Sequence, residues 1–125
     1  MKYTFALVAA LVFAGPAVAQ HAHGNQKGPN GGQMEDIAGV HAELLTSGNT
    51  ITVNIFNEGG KPLSTRAYSG SILMVSGSNR ETVNLAPSGE NALKGETKSA
   101  IVPGAAITLM VKTDAGKSGQ ARFKR

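Results

Sequence analysis

The chain has 125 residues, with 12 lysines and arginines against 8 aspartates and glutamates, and no cysteine. Its net charge of +4 is low and spread along the chain, which argues against a nucleic-acid-binding protein. Without cysteine there are no disulfides, thiolate metal sites or thiol nucleophiles, so a transition metal would need histidine, methionine, carboxylate or the backbone amine.

The N-terminal segment has the three parts of a secretory signal peptide. Residues 1–3 are a short basic start, residues 4–14 are almost wholly apolar, and residues 17–19 have the small-x-small pattern of a cleavage site. We expect cleavage after Ala19, which leaves a charge of +3 because one lysine is removed; cleavage after Gln20 and a retained anchor are the alternatives. The protein is predicted to be periplasmic or secreted. No second apolar segment of membrane length follows, so we expect no membrane insertion after cleavage.

The rest of the chain divides into a polar lead and a β domain. Residues 20–30 have almost no apolar side chain and are predicted to be a flexible segment containing histidine and glycine. In residues 31–125, alternating runs separated by turn signals predict seven or eight strands, near residues 34–38, 40–46, 50–57, 70–76, 81–86, 91–96, 106–113 and 118–125. This pattern predicts an all-β fold, an antiparallel immunoglobulin-like β-sandwich, with a small barrel as the alternative.

The motifs of common enzyme classes are missing from the sequence. It contains no nucleophile elbow, P-loop, dinucleotide-binding fingerprint or His-Glu-x-x-His motif. Only His41 lies inside the predicted domain, and the neighbouring carboxylates Glu35 and Asp36 would point to opposite faces of a strand. We therefore predict that the protein is not an enzyme.

All three histidines lie close together in the sequence, beside residues that could complete a metal site. His21 and His23 form a His-x-His pair, which can share one Cu²⁺ or Zn²⁺. His41 and Glu43 are two apart on one strand face and could bind the same ion if that face is exposed. Met34 would add a thioether ligand for Cu⁺. The alternative is a polar spacer in the tail and a plain surface histidine on the strand.

Two further methionines and the basic C-terminus complete the set of notable residues. Met74 lies in the apolar run ILMV and is predicted to be in the core. Met110 shares a strand face with Thr108 and Lys112. The C-terminal cations are predicted to form a solvated edge that discourages aggregation; they are Lys117, Arg122, Lys124 and Arg125.

Three segments of the chain resemble a known group of proteins. GPNGGQMEDIAGVHAELL, ITVNIFNEGGKPLST and ETVNLAPSGENALKG are similar to small secreted bacterial proteins and to the N-terminal module of periplasmic adaptor proteins of heavy-metal efflux systems. The matching positions are Gly28, Pro29, Gly31, Gly32, His41, Gly60, Lys61 and Pro62. Asn30 stands where a histidine is common in that group. The resemblance implies a short β domain, a link to heavy metals and an efflux adaptor or pump as partner.

These observations predict a periplasmic accessory protein that binds Cu or Zn and buffers it or delivers it to an efflux partner. The alternative is a protein-interaction or structural β-sandwich module of the cell envelope that binds no metal. A module of that kind could bind its partner by strand addition at an exposed sheet edge.

Overall fold

The structure, a computed structural model, describes residues 26–124, which form eight β-strands and no helix. The strands are β1 (Gln33–Ile37), β2 (Val40–Ser47), β3 (Thr50–Phe56), β4 (Ser69–Ser76), β5 (Asn79–Ser88), β6 (Ala92–Glu96), β7 (Ala106–Lys112) and β8 (Ser118–Lys124). The prediction of an all-β domain of seven or eight strands is confirmed. Within this range there is accordingly no helix long and apolar enough to cross a membrane.

The eight strands form one antiparallel sheet in the order β1-β2-β3-β6-β5-β4-β7-β8. The two end strands approach each other, since a methyl group placed on Gly119 of β8 would lie 2.9 Å from the backbone nitrogen of Ala38 after β1. The sheet is therefore nearly closed and barrel-like. The immunoglobulin-like sandwich is not confirmed: in that fold the second and third strands lie in different sheets, whereas β2 and β3 form a hairpin here.

Strand β5 joins the two halves of this sheet. Its first part pairs with β4, from Asn79 opposite Ser76 to Leu85 opposite Gly70, and its last three residues, Ala86 to Ser88, pair with β6. One half therefore contains β1, β2, β3 and β6, and the other contains β4, β7, β8 and the first part of β5. The change of partner along a single strand lets a continuous sheet turn back on itself.

The interior is filled from both halves by alternating residues of the strands. Ile51, Val53 and Ile55 of β3 are fully buried, and Ile107 and Leu109 of β7 are fully buried from the other half. β-Branched and other large apolar side chains at every second position favour strands with one buried side. Met74 is also part of this core, 5% exposed, as its sequence context predicts.

A tight turn fixes the register of β1 and β2. Ala38 and Gly39 both have positive φ, 50° and 83°, the pattern of a two-residue type I′ hairpin turn. Ile37 consequently lies opposite Val40, and Asp36 lies opposite His41. The side chains of Asp36 and His41 therefore leave the sheet on the same side.

Candidate functional site

We call the outward side of β1, β2 and β3 the covered face; it carries two rows of residues, most of them polar. The strand register places Met34, Glu43 and Asn54 side by side in one row. The next row contains Asp36, His41 and Phe56. The core-facing residues alternate with these, so both rows lie on the side of the sheet opposite the core.

Glu43 lies at the centre of the covered face and is 0% exposed. Its carboxylate accepts hydrogen bonds from the backbone nitrogen of Asn30 at 2.8 Å, from Asn30 Nδ2 at 2.8 Å and from the backbone nitrogen of Gly32 at 3.0 Å. A fourth, longer hydrogen bond comes from Asn54 Nδ2 at 3.4 Å. A buried carboxylate needs such donors because leaving it unpaired would be costly. Glu43 therefore ties the chain before β1 to the outside of the sheet.

The segment that covers Glu43 is the glycine loop, residues 28–32 with the sequence GPNGG. Its glycines allow a contact that no side chain would permit: a methyl group on Gly28 would lie 2.4 Å from Glu43 Oε2, and one on Gly32 would lie 2.3 Å from the carbonyl oxygen of Leu44. The loop is closed by a hydrogen bond from the nitrogen of Gly28 to the oxygen of Gly32 at 2.7 Å. Gly28 and Gly32 are thus explained by close packing onto β2, and Gly31 by its positive φ of 83°.

The glycine loop includes part of the segment that the sequence predicts to be flexible. Residues 26–30 fall in the range 20–30 that the sequence predicts to be flexible, but in the structure they are tied to the domain. Lys27 pairs with Gln33, and the backbone nitrogen of Met34 donates to the oxygen of Gln26 at 3.1 Å. The physical reason is the buried acceptor of Glu43, to which Asn30 is bonded. His21 and His23 lie outside the described residues.

The Nδ1 atom of His41 contacts Asp36 Oδ1. The His41 side chain is 19% exposed and that of Asp36 is 42% exposed, so the pair lies at the surface of the covered face. A carboxylate bonded to one imidazole nitrogen orients the ring, and in metal sites the opposite nitrogen is the one that binds the ion. The contact with Asp36 therefore fixes the orientation of the His41 ring.

Met34 and Glu43 are less accessible than the predicted metal site requires. The prediction requires His41 and Glu43 to share an exposed face; they share a face, but the glycine loop buries Glu43. Met34 is partly buried, and its sulfur would lie 2.7 Å from a methyl group on Gly28, so the same loop covers it. Within residues 26–124 no three histidine, aspartate or glutamate side chains are grouped closely enough to hold a metal ion.

Three residues of this site make side-chain contacts that the sequence does not predict. Asn30 and Asn54 donate to Glu43, and Asp36 pairs with His41. The turn pair Ala38-Gly39 is the signal that could have placed Asp36 opposite His41, because a two-residue hairpin fixes the register. Asn30 gives no such signal, since its role depends on the loop folding back over β2.

The GKP turn folds back toward the same region of the molecule. Phe56 forms an isolated bridge with Pro62, and the nitrogen of Asn57 donates to the oxygen of Lys61 at 2.8 Å. Phe56 neighbours His41 in the register and is 6% exposed. The glycine loop and the GKP turn thus both lie against strands of the covered face.

Comparison with protein-family models, curated proteins and solved structures finds no match to this chain.

Proposed function

We propose that the protein is a periplasmic metal-associated accessory protein that binds Cu or Zn and buffers it or delivers it to an efflux partner. The observation that carries this proposal is the place where the N-terminal tail joins the domain. Gln26 is hydrogen-bonded to Met34, and Met34 is two residues from Asp36 on the same side of β1, a separation of about 7 Å. The tail therefore begins beside the Asp36–His41 pair.

Chain length supports a shared site for the tail and the strand histidine. His23 precedes Gln26 by three residues, so their Cα atoms are at most about 11 Å apart. This reach is enough for the imidazole of His23 to approach His41 across the width of one strand. Two or three imidazoles on one ion suit Cu²⁺ and Zn²⁺, and a chain without cysteine has no thiolate to compete for it.

Unlike the histidines, Glu43 and Met34 are not proposed as metal ligands while the glycine loop is closed. Both are covered by the glycine loop, and the two oxygens of Glu43 already accept four hydrogen bonds. Binding of an ion by either residue would require the loop to lift from β2. In the closed loop we propose the histidines as metal ligands, with Asp36 orienting His41.

Metal titration of histidine variants tests this proposal. Mass spectrometry of the mature N-terminus comes first, because a free amine at Gln20 would itself bind Cu²⁺. The wild type, a His21→Ala/His23→Ala variant, a His41→Ala variant and the triple variant are then titrated with Cu²⁺, Cu⁺ and Zn²⁺. We expect each partial variant to bind at least about tenfold more weakly, because each loses imidazole ligands.

The matched control is Glu96→Gln, which removes an exposed carboxylate of β6 and should leave binding unchanged, because Glu96 pairs with Thr50 at the end of β3 remote from Phe56 and His41. Equal weak binding by the wild type and the triple variant would refute the metal function. If the tail variant loses binding and His41→Ala does not, the tail binds alone and the shared site is wrong.

A second candidate is the metal-free interaction module, which an unpaired strand edge favours. β5 pairs with β6 only through Ala86 to Ser88, so its edge from residue 79 to 85 has no strand partner on that side within the described chain. A cleft of about 840 Å³ lies there, and Val102 at its border is 43% exposed. An extended peptide could add to such an edge. Charge and proline substitutions at Thr82 would weaken peptide binding and leave metal titration unchanged.

A further inference from the structure

The outward side of the other half-sheet, formed by β4, β7, β8 and the first part of β5, differs in charge from the rest of the molecule. We call it the basic face. Four cations point outward from these strands: Arg80, Lys112, Arg122 and Lys124. The alternate residues, such as Ile107, Leu109 and Phe123, are buried in the core, so the outward direction of the cations follows from strand alternation.

No acidic residue lies among the outward positions of these strands. Glu81 of β5 is turned to the other side, where its carboxylate accepts hydrogen bonds from the backbone nitrogens of Lys98 at 2.7 Å and Ser99 at 3.2 Å. Asp114 lies beyond the end of β7, in the turn to β8. None of the four cations forms an ion pair with a carboxylate of residues 26–124. No carboxylate of the described domain therefore lies within ion-pairing distance of these four side chains.

The cations are spread over the face and do not converge on one point. Arg80 and Lys124 end the same row, Arg80–Val75–Ala106–Lys124, so three strand spacings, about 14 Å, separate them. Lys112 lies opposite Ser118, six residues from Lys124, which is about 20 Å along β8. A single small anion could contact only one or two of these side chains. The spacing fits a partner whose negative charge extends in two dimensions.

The centre of the basic face is weakly apolar. Leu73 and Val75 are partly buried, and Met110 is 38% exposed. Met110 and Lys112 border a shallow depression of about 630 Å³, whose other outward lining residues are Ser69, Ser71, Asn84, Ser118 and Gln120. This centre is small compared with the apolar core of a protein–protein interface, which argues against a folded protein as the main partner.

A second copy of the chain is also a poor occupant. Two basic faces would repel each other. The covered face offers no matching negative surface, because Glu43 is buried and Asp36 is paired with His41.

We propose that the basic face binds the surface of an anionic phospholipid bilayer, with the cations at the lipid phosphates and Met110 against the headgroup region. A bilayer presents negative charge as a continuous plane, and lysine and arginine near such a surface add to binding roughly residue by residue. The interaction is peripheral and inserts no segment of the described domain. It does not depend on the metal function proposed above, because His41 and Asp36 lie on the other half-sheet.

Vesicle co-sedimentation of the purified protein tests this proposal. The probes are phosphatidylcholine vesicles and vesicles in which phosphatidylglycerol replaces a third of the phosphatidylcholine. We expect binding only to the second kind, and weaker binding at high salt because salt screens the attraction. Binding of equal strength to both kinds, or to neither, would overturn the proposal.

Two triple variants with the same net charge separate the face from the overall charge. The test variant is Arg80→Glu/Lys112→Glu/Arg122→Glu, and the matched control is Lys61→Glu/Arg66→Glu/Lys94→Glu, whose three residues are exposed elsewhere. We expect the test variant to bind at least about a hundredfold more weakly and the control to lose far less. The difference between the two variants does not depend on where the signal peptide is cleaved, because both variants have the same mature N-terminus.

Three further results would contradict the bilayer as partner. An equal loss in both triple variants would mean that only the net charge matters. Soluble polyglutamate that binds the wild type as tightly as the vesicles do, at equal charge concentration, would indicate an acidic polypeptide. Dimers in the absence of lipid that the test variant cannot form would indicate a second copy of the chain. If the test variant does not fold, the salt dependence and the lipid comparison on the wild type decide the question.

Discussion

The covered face and the basic face lie on opposite halves of one sheet and treat their charged groups in opposite ways. On the covered face, a carboxylate is removed from water and receives four hydrogen bonds from its own chain. On the basic face, four cations stay exposed and form no ion pair with a carboxylate of the described residues. The carboxylate of Glu43 forms its hydrogen bonds within the fold. The cations of the basic face remain accessible to solvent or to a partner.

This difference indicates which charges hold the structure together and which do not. Replacement of the buried Glu43 should lower the free energy of unfolding strongly, because its donors would lose their acceptor and remain away from water. Replacement of an exposed cation of the basic face should change the free energy of unfolding only slightly. Substitutions on the two faces should therefore change different properties: stability on the covered face, and binding on the basic face.

The largest expected effect is on Glu43. Glu43→Ala leaves the nitrogens of Asn30 and Gly32 without their acceptor and opens a cavity, so the free energy of unfolding should fall by about 3 kcal/mol. Denaturant unfolding measures this change. Glu58→Ala, at an exposed position, should alter it by less than about 0.5 kcal/mol. A similar small effect for both variants would mean that the glycine loop adds little to stability.

Gly32→Ala tests the packing of the glycine loop directly. The added methyl group would lie 2.3 Å from the carbonyl oxygen of Leu44, so the backbone must shift and unfolding should become easier by about 2 kcal/mol. Gly59→Ala is the control, because its nearest neighbour is a side-chain atom at 3.3 Å. Thermal unfolding of the two variants compares them. A loop that tolerates the methyl group would contradict the close contact.

The Asp36–His41 pair should contribute a smaller amount. A double-mutant cycle with Asp36→Asn and His41→Ala should give a coupling free energy of about 0.5 kcal/mol, as for other pairs of polar side chains at the surface. The coupling should decrease at high salt. A coupling of several kcal/mol would mean that the pair is part of the covered network around Glu43.

The smallest effect on stability is expected on the basic face. Arg122→Glu should change the free energy of unfolding by less than about 0.5 kcal/mol, because Arg122 is exposed and no ion pair to a described carboxylate is lost. Urea titration beside the wild type measures this. A large loss would show that the cation supports the fold, and would weaken the contrast between the two faces.

Most of the fold could be predicted because the alternation of apolar residues is strong. Ile51, Val53 and Ile55 mark the buried side of β3, and the hairpin with β2 follows from the short turn at residues 48–49. The strand order could not be predicted in the same way. The pairing of β6 with β3 depends on contacts between residues distant in the chain, for which a single sequence gives no signal.

The candidate site was predictable only where short-range rules apply. Alternation places His41 and Glu43 on one side of β2, and the register confirms this. The burial of Glu43 was not predictable, because it results from residues 28–32 folding back across β2. A glutamate on the polar side of a strand has the same local sequence pattern whether a loop covers it or not. Glycines at 28 and 32 permit the cover but do not specify its position.

The insertion of β6 between β3 and β5 has a consequence for the order in which the chain can fold. In the β3–β6 ladder, Asn54 pairs with Ala92 and Thr50 with Glu96, separations of 38 and 46 residues. The approach of β8 to β1 joins Gly119 to Ala38, 81 residues apart. Contacts of such long range make folding slow, because the intervening chain must be confined before they form. Strand β3 therefore has no β6 to pair with until the chain through residue 96 is available. The two end strands, β1 and β8, cannot approach each other until residue 119 is available as well.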